Sequence, residues 1–473
     1  MRLALLTAVA LAALALAPAA AATRTGATFT PNDPLFPRQY YLAQDHAFDA
    51  WPAIPVLQPV LVAVVDSGVD GGHPEFKGRI AAAKSFVGGK ALVDSVGHGT
   101  FVAGEIAALT GNRIGMAGMA PNARLLVAKA AYADGSISTH AEAQAIRWAV
   151  DRGARVVNLS LAGVRAPESR SLDTYSAEEA AAISYATAQG VVVVAAVGNG
   201  DDAPSVPWPF ASWPSALPHV LGVAALNRAG TVPRFSDRDP VFVDLAAPGD
   251  EIVSTFPRAL TRKRRGCSNQ GYSDCGDGFF RAGAGTSFAA PQASAAAAIL
   301  LALHPELSAD QVVWILEHSA DDVGAPACAD CRLGRDSLSG WGQIDVTRAV
   351  AMLDGSLPPP DTREPNDGAA AAAARVYGRT ARIDATLDYW DDPLDVYSVF
   401  MRAGEQLSVR LDGTPGTETA LQVTRRRTIT VRAAEPGAVH ALDVVVPAEG
   451  WYDVRLRLDS EGYGGYTLKF FKS

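Results

Sequence analysis

The chain has 473 residues, of which 48% are hydrophobic and 19% charged, so it is long enough to bury one large core and to form a second domain. Its formal net charge of −9 argues against a nucleic acid or an anionic membrane surface as a partner. We therefore expect a soluble, two-domain globular protein that works as a monomer.

The first 22 residues are typical of a secretory signal peptide. They contain one basic residue, Arg2, an uncharged apolar run and an Ala-x-Ala ending before Thr23. An uncleaved membrane anchor is the alternative, which the length permits but Pro18 and the small-residue ending disfavour. No later run is predicted to be long and apolar enough to span a bilayer. We expect a secreted or periplasmic protein without a membrane span once 1–22 are removed.

Residues 38–354 alternate apolar strands with helices. Helix start signals include Ser176 with Glu179 and Ser308 with Gln311, both at capping-box spacing. The pattern predicts a three-layer α/β/α domain with a mainly parallel sheet. Five near-continuous apolar runs are typical of parallel strands covered on both faces: VLVAVVD (60–66), RLLVAKA (124–130), ARVVNLSL (154–161), GVVVVAAVGN (190–199) and HVLGVAAL (219–226).

The stretch 355–367 is rich in proline and charge, as linkers are. Beyond it, residues 368–473 are predicted to form a small antiparallel β-sandwich, because apolar and polar residues alternate along several runs. These runs are DVYSVFMR (395–402), EQLSVRLD (405–412), WYDVRLRLD (451–459) and GYTLKFF (465–471).

Four cysteines are an even number in a chain predicted to be exported, so we expect disulfides. Sequence order favours Cys267 with Cys275 and Cys328 with Cys331, although three connectivities exist. A zinc site is the alternative for Cys328 and Cys331, but the sequence offers no second ligand pair at the usual spacing.

Four polar residues lie where an α/β sheet collects functional groups. Asp66 ends the strand 60–66, His98 stands between glycines at the mouth of a helix, Asn199 follows a buried strand, and Ser287 precedes a helix. Each one alone is explained by a turn or a helix cap. Together they supply the nucleophile, the base, the carboxylate that orients the base and the oxyanion donor that acyl transfer by serine needs.

Five motifs resemble, in order and surroundings, those of the subtilisin-like serine proteases: VAVVDSGVDGGHPEF, GHGTFVAGEIAA, VVNLSLAG, VVAAVGNG and GTSFAAP. The resemblance runs from about residue 32 to 352. It implies that Asp66, His98 and Ser287 form the triad and that Asn199 donates to the oxyanion with the Ser287 backbone N–H. The activity implied is serine endopeptidase hydrolysis through an acyl-enzyme, with no cofactor for catalysis.

The resemblance also implies which residues bind an extended peptide. The segments 160–163 and 196–199 would wall the pocket for the side chain before the scissile bond, and Ser212 would be its base. Because this pocket is small, apolar and free of acidic residues in the sequence, we expect a preference for apolar or aromatic side chains. The predicted substrate-binding residues are Gly135, Ser136, Ile137, Ser160, Leu161, Ala162, Gly163, Ala196, Val197, Gly198 and Ser212.

The sequence departs from this family in three places. Relatives carry an inhibitory propeptide domain, whereas 23–37 is too short to fold as one, so we expect unassisted folding, help from another chain, or dependence on the C-terminal domain. A structural calcium site in the loop 109–121 stays open, since Asn112 matches the family's asparagine but Glu75 replaces its aspartate. The basic run 262–265 lies in an insertion that we interpret as a solvated, disulfide-pinned loop.

The last domain resembles the bacterial prepeptidase C-terminal domain, through REPND (363–367) and DDPLDVYSVF (391–400). Two other functions stay open. One is a transpeptidase on the same scaffold, in which an amine replaces water as the acceptor. The other is a catalytically silent binding protein whose working part is the β-sandwich.

Overall fold

A computed structural model describes residues 28–200, 203–261, 279–324, 328, 330–367, 373–425, 428–432 and 437–473. The predicted signal peptide 1–22, the basic run 262–265 and the predicted Cys267–Cys275 pair lie outside the described residues. The predicted disulfide between Cys328 and Cys331 is formed.

A seven-stranded parallel sheet lies at the centre of the first domain. Its strands are β1 (Val60–Asp66), β2 (Ile80–Ser85), β3 (Ala123–Lys129), β4 (Val156–Leu159), β5 (Val192–Ala196), β6 (Val220–Leu226) and β7 (Leu245–Pro248). Their order across the sheet is β2-β3-β1-β4-β5-β6-β7, so β1, β4 and β5 are neighbours. Four of the five predicted apolar runs contain a whole strand of this sheet, and the run 124–130 covers β3 except for its first residue, Ala123, whereas β2 and β7 were not predicted.

Helices cover both faces of this sheet. The helices are α1 (Tyr40–Gln44), α2 (His98–Ala107), α3 (Thr139–Asp151), α4 (Ala177–Ala188), α5 (Arg258–Thr261), α6 (Ala290–Leu303), α7 (Ala309–Ser319) and α8 (Val346–Met352). Val62 and Val64 of β1 pack with α2, α6, α7 and α8, while Ala63 and Val65 pack with α3 and α4 on the opposite face. The predicted three-layer α/β/α architecture is confirmed. The described residues also include the short 3-10 helices Phe36–Arg38, Pro74–Phe76 and Thr286–Phe288 and an antiparallel pair, β8 (Ile252–Thr255) with β9 (Phe280–Gly283).

We expected no run after residue 22 to be long and apolar enough to span a bilayer, and this expectation is wrong. Thr286–Leu303, which includes α6, is long and apolar enough for that, but 89% of it is buried inside the protein. It is a core helix of the first domain, packed against α2 and the sheet.

Both predicted helix starts are present, but only one is a complete capping box. Ser308 and Gln311 cap α7 reciprocally. At α4, Ser176 accepts a hydrogen bond from the Glu179 backbone N–H, while the Glu179 side chain is buried beside Glu142 of α3. Burial raises the pKa of both carboxyls, so the pair is stable inside the protein when it carries a proton.

The C-terminal strands form two facing sheets. They are β10 (Ala374–Val376), β11 (Thr380–Asp388), β12 (Leu394–Met401), β13 (Gln406–Gly413), β14 (Thr419–Arg425), β15 (Thr428–Arg432), β16 (Val439–Val445), β17 (Gly450–Leu458) and β18 (Tyr463–Lys472). One sheet has the order β10-β12-β17-β14-β15 and the other β11-β18-β13-β16. Every pairing is antiparallel except β10 with β12. Their inner faces enclose a second core that includes Tyr397, Tyr452 and Phe470, consistent with the predicted β-sandwich.

Arg335 ties the two cores together. Its guanidinium donates to the backbone oxygens of Pro240 and Val241 and to Asp244 Oδ1 at 3.0 Å. The same group lies 4.7 Å from the ring centre of Trp390, which belongs to the turn between β11 and β12. The Arg335 and Asp244 side chains are only 4% and 7% exposed, so this pair is a buried ion pair.

Replacing Arg335 by alanine should lower the free energy of unfolding by about 3 kcal/mol, because it removes one partner of a buried pair. Burial raises the pKa of Asp244 to about 7 although Arg335 opposes this, so unfolding is best measured at pH 8.5, where Asp244 is ionised in the parent protein. Denaturant titration followed by tryptophan fluorescence is suitable.

Arg382→Ala is the matched control, since Arg382 forms an exposed pair with Asp384, 61% and 47% exposed. Its loss should lower the free energy of unfolding much less than the loss of Arg335, because water screens an exposed pair. Equal effects of the two substitutions would contradict a stabilising role for the buried pair.

Candidate active site

The four residues predicted to carry the chemistry come from neighbouring parts of one edge of the sheet. Asp66 is the last residue of β1, His98 is the first residue of α2, and Asn199 follows β5 by three positions. Ser287 lies in the 3-10 turn Thr286–Phe288, immediately before α6. Because β1, β4 and β5 are adjacent and parallel, their carboxyl ends meet at this edge.

Asp66 and His98 are in direct contact. His98 Nδ1 lies 3.0 Å from Asp66 Oδ1 and 2.9 Å from Oδ2, and the Ser67 backbone N–H also donates to Oδ1 at 2.6 Å. The Asp66 side chain is 3% exposed and that of His98 22%. Burial lowers the pKa of His98, but the Asp66 charge and hydrogen bond outweigh it, so the pKa lies above its ordinary value.

Asp94, which the sequence did not single out, fixes the start of α2. Its Oδ1 accepts hydrogen bonds from Ser67 Oγ and from the backbone N–H groups of Val96 and Gly97, at 2.7 to 2.9 Å. Its Oδ2 accepts from the backbone N–H and hydroxyl of Thr100. One buried carboxylate therefore joins the end of β1 to the first turn of α2, which fixes the direction from which His98 meets Asp66.

Ser287 is held by its neighbours in the turn. Ser160 Oγ donates to the Ser287 backbone oxygen at 2.7 Å, and the Phe288 ring packs on the His98 ring with 5.6 Å between centres. Within the described part of the chain, the Ser287 hydroxyl forms no hydrogen bond. Catalytic hydrogen bonds are often long in the absence of substrate and shorten in the complex.

Asn199 is oriented by Thr286, which the sequence reasoning missed. Its Oδ1 accepts from the Thr286 backbone N–H at 2.8 Å and from the Thr286 hydroxyl at 2.9 Å. Gly285 lies beside this amide at φ +152°, a backbone conformation that residues with a side chain rarely adopt. Both Thr286 donors face Oδ1, and within the described residues the Asn199 amide NH₂ donates no hydrogen bond.

The predicted substrate-binding residues differ in their exposure and in the contacts they make. Gly135, Ser136 and Ile137 form a half-exposed turn that pairs back onto Ala131. Ser160 is buried and directs its side chain to Ser287, while Leu161 and Ala162 remain accessible.

One residue of the predicted peptide-binding edge is already paired. Gly163 uses both its backbone N–H and its oxygen on Trp213, at 2.7 and 2.8 Å. The Gly163 backbone is therefore not available to a substrate.

The predicted pocket base has a buried acidic neighbour that the sequence reasoning missed. Ala196, Val197 and Gly198 are buried as predicted walls, but Ser212 Oγ donates to Asp237 Oδ2 at 3.1 Å. Asp237 was missed because it lies 25 residues further along the chain and no local pattern marks it.

The loop proposed for calcium does not fit the ion. Asn112 donates its side-chain N–H to Glu75 Oε2 at 2.9 Å, and the Met116 backbone N–H donates to Oε1 at 3.2 Å. Asn112 Oδ1 accepts from the Ile114 backbone N–H. Burial raises the pKa of Glu75 to about 7. In this described loop each of these side-chain oxygens already accepts a hydrogen bond, so the set is arranged for mutual hydrogen bonding and not around a hard cation.

Among the described residues, three groups of side chains could hold a cation by their spacing, with ligand atoms within 4.8 Å of one another. His46, Asp321 and Asp345 form one of them, and the other two contain residues of the segment 361–395. One contains Asp361, Glu364, Asp392 and Asp395, and the other joins His219 to Glu364, Asp367 and Asp392. His219 precedes β6, so both groups lie at the amino edge of the sheet, opposite the edge that carries Asp66. They therefore take no part in the chemistry of that site.

Comparison with known proteins gives a consistent result. The model of the subtilase family (Peptidase_S8) matches residues 58–342. Thermitase of Thermoactinomyces vulgaris is 32% identical over 325 residues, which cover 68% of this chain and 99% of thermitase. The cell wall-associated protease of Bacillus subtilis (strain 168) is 33% identical over 318 residues, 63% of this chain, and the chain spans 31% of its length.

Among solved structures, a lanthipeptide protease matches with a TM-score of 0.54 and 23% identity. The match covers 69% of this chain and 99% of that one. At this identity it shows a shared fold.

Asp66→Asn should lower the pKa of His98, because the substitution removes the negative charge that stabilises the imidazolium. The measurement is an NMR titration of the His98 ring in the parent and the variant, with the other histidines as internal references. An unchanged His98 pKa would contradict the electrostatic role given to Asp66.

Proposed function

The chain belongs to the subtilase family of serine endopeptidases, and we propose that it hydrolyses peptide bonds through an acyl-enzyme formed on Ser287. The observation that carries this proposal is the buried Asp66–His98 pair, set beside the turn that presents Ser287. The substrates would be proteins or peptides.

In the first half-reaction, Ser287 Oγ attacks the scissile carbonyl carbon while His98 Nε2 takes the hydroxyl proton. The bond to the leaving amine then breaks and the amine takes that proton from His98. Water repeats the sequence on the ester and regenerates Ser287. Asp66 contributes by holding Nδ1–H, because this fixes the tautomer in which Nε2 is the free base.

Negative charge develops on the carbonyl oxygen during both half-reactions. The Asn199 amide NH₂ and the Ser287 backbone N–H would donate to it. Thr286 supports this role by holding Asn199 Oδ1 with two hydrogen bonds, so the amide need not reorient when charge appears. Pre-oriented donors of this kind are usually the largest single contribution to acyl-transfer catalysis.

The sequence also bears on where the protein works and on the role of its second domain. The leader 1–22 supports secretion or export to the periplasm. The β-sandwich would take no part in catalysis, because its junction with the first domain lies at the edge of the sheet opposite Ser287.

A fluorophosphonate probe should label Ser287 in the parent protein, and Ser287→Ala should abolish both labelling and peptidase activity, because the attacking oxygen is lost. Labelling is read by mass spectrometry of the modified peptide. Ser319→Ala, which removes a buried serine at the end of α7, outside the turn, is the control and should still be labelled. Labelling that survives in Ser287→Ala would overturn the proposal.

Asn199→Ala should lower kcat by about 10²–10³ with little change in KM, a range that was measured for the oxyanion donor of subtilisin itself. The reason is that the amide acts on charge present only in the transition state. Steady-state kinetics on a peptide substrate give both constants. Asn227→Ala, in a turn after β6, is the control, and a kcat of Asn199→Ala equal to that of the control would exclude the assigned role.

A further inference from the structure

We propose that Lys129 is a positioning residue for His98: its ammonium group ties the end of β1 to the loop that begins α2 and balances part of the negative charge of the two buried carboxylates near the imidazole. Those carboxylates are Asp66 and Asp94. This inference rests on the proposed function, because it concerns how the base of that same reaction is held. Sequence reasoning did not single out Lys129, which stands within the apolar run 124–130.

The sheet places Lys129 beside Asp66. Lys129 is the last residue of β3, Asp66 is the last residue of β1, and the two are register partners in this parallel pair. Side chains alternate between the faces of a strand, and Val127, two residues before Lys129, packs with α2. Both side chains therefore leave the sheet on the face where α2 lies.

The Lys129 ammonium group binds two backbone oxygens that belong to different segments. It donates to the Ser67 oxygen at 2.5 Å and to the Val93 oxygen at 3.3 Å. Ser67 directly follows Asp66 in the chain, and Val93 directly precedes Asp94. A single cation thus connects the residues next to the two carboxylates, so both carboxylates are fixed relative to the same point.

The backbone above the lysine is shaped to admit it. Gly68 has φ +97°, and a Cβ there would lie 2.7 Å from the Ala91 backbone oxygen and 3.5 Å from Lys129 Cδ. Lys129 is only 5% exposed, and burial of an ammonium group is unfavourable. A methionine of similar length would fill the same space without that cost. The presence of lysine is therefore explained by its charge and its hydrogen bonds rather than by packing.

The charges of Asp66 and Asp94 act on both Lys129 and His98. Burial lowers the pKa of Lys129, while Asp94 and Asp66 act in the opposite direction. Burial also lowers the pKa of His98, and the same two carboxylates again oppose it. The ammonium group and the imidazolium thus share one pair of carboxylates. Because the ammonium charge repels the imidazolium, Lys129 limits how firmly His98 holds its proton.

This limit matters because a general base accepts a proton only when it is neutral. Two buried carboxylates without a counter-charge would keep His98 protonated to higher pH and reduce the fraction of enzyme that can react. Lys129 opposes this effect, and its two hydrogen bonds hold the segments from which Asp66 and His98 extend.

The test compares variants with the parent protein by NMR titration of the His98 ring and by the pH dependence of kcat/KM on a peptide p-nitroanilide. Lys129→Met keeps the length of the side chain and removes its charge, so the pKa of His98 should rise and the acidic limb of the profile should move to higher pH. We also expect kcat to fall by about tenfold or more with a smaller change in KM, because the base is displaced.

Lys129→Arg retains the positive charge and should restore the His98 titration of the parent protein. Lys84→Met is the matched control and should leave both curves unchanged, because Lys84 is an exposed residue of β2 whose charge water and salt screen. A nitrogen NMR measurement of Lys129 Nζ in the parent protein needs no variant. It should show an ammonium group throughout the pH range in which His98 titrates.

An unchanged His98 titration in folded Lys129→Met would contradict the proposal even if kcat falls, because a purely structural role would then suffice. A neutral amine at Lys129 in the parent protein, in the pH range where His98 titrates, would contradict it as well. Neither readout depends on turnover. If the parent protein cleaves no peptide and a fluorophosphonate leaves Ser287 unlabelled, the proposed function fails, whereas the His98 titration still decides the role of Lys129.

Discussion

The site depends on one requirement, that the buried carboxylate at the end of β1 receive hydrogen bonds. A buried carboxylate without partners is strongly destabilising. Asp66 accepts hydrogen bonds from the Ser67 backbone N–H and from His98. Asp94, a second buried carboxylate, accepts hydrogen bonds from the loop before α2 and from the first turn of α2. Because two neighbouring carboxylates both need donors from this segment, α2 begins where His98 faces Asp66. The hydrogen bonds that buried charges require, as much as packing, therefore set the orientation of the His98 side chain.

The sequence predicted those parts of the fold that local patterns encode. The strand 60–66 has the predicted bounds, and Ser308 caps α7 as expected, because apolar runs and caps are local features. The strand β2 was missed since it is an edge strand with alternating partial burial, and β7 since it has four residues and ends in proline.

The residues of the candidate site divide in the same way, into those marked by a local motif and those brought into contact only by the fold. Asp66, His98, Asn199 and Ser287 stand in recognisable motifs, whereas Thr286 and Asp237 act through contacts that no local spacing reveals. Thr286 reaches Asn199 across 87 positions of the chain, and Asp237 reaches Ser212 across 25. Ser212, the predicted pocket base, thus has a buried carboxylate neighbour from a distant part of the chain, and the sequence of the predicted walls does not reveal it.

The alanine-rich helix α6 packs closely on the sheet, but the small alanine side chains do little to fix its position along its own axis. A buried chain of hydrogen bonds supplies them. Ser294 Oγ donates to Asn158 Oδ1, Asn158 Nδ2 to Ser160 Oγ, and Ser160 Oγ to the Ser287 oxygen, each at 2.7 to 2.9 Å. Each group depends on the next for its partner, so sliding α6 along β4 would leave buried polar atoms unpaired. The same chain ends on the residue whose position the reaction requires, which links the specificity of core packing directly to the placement of the nucleophile.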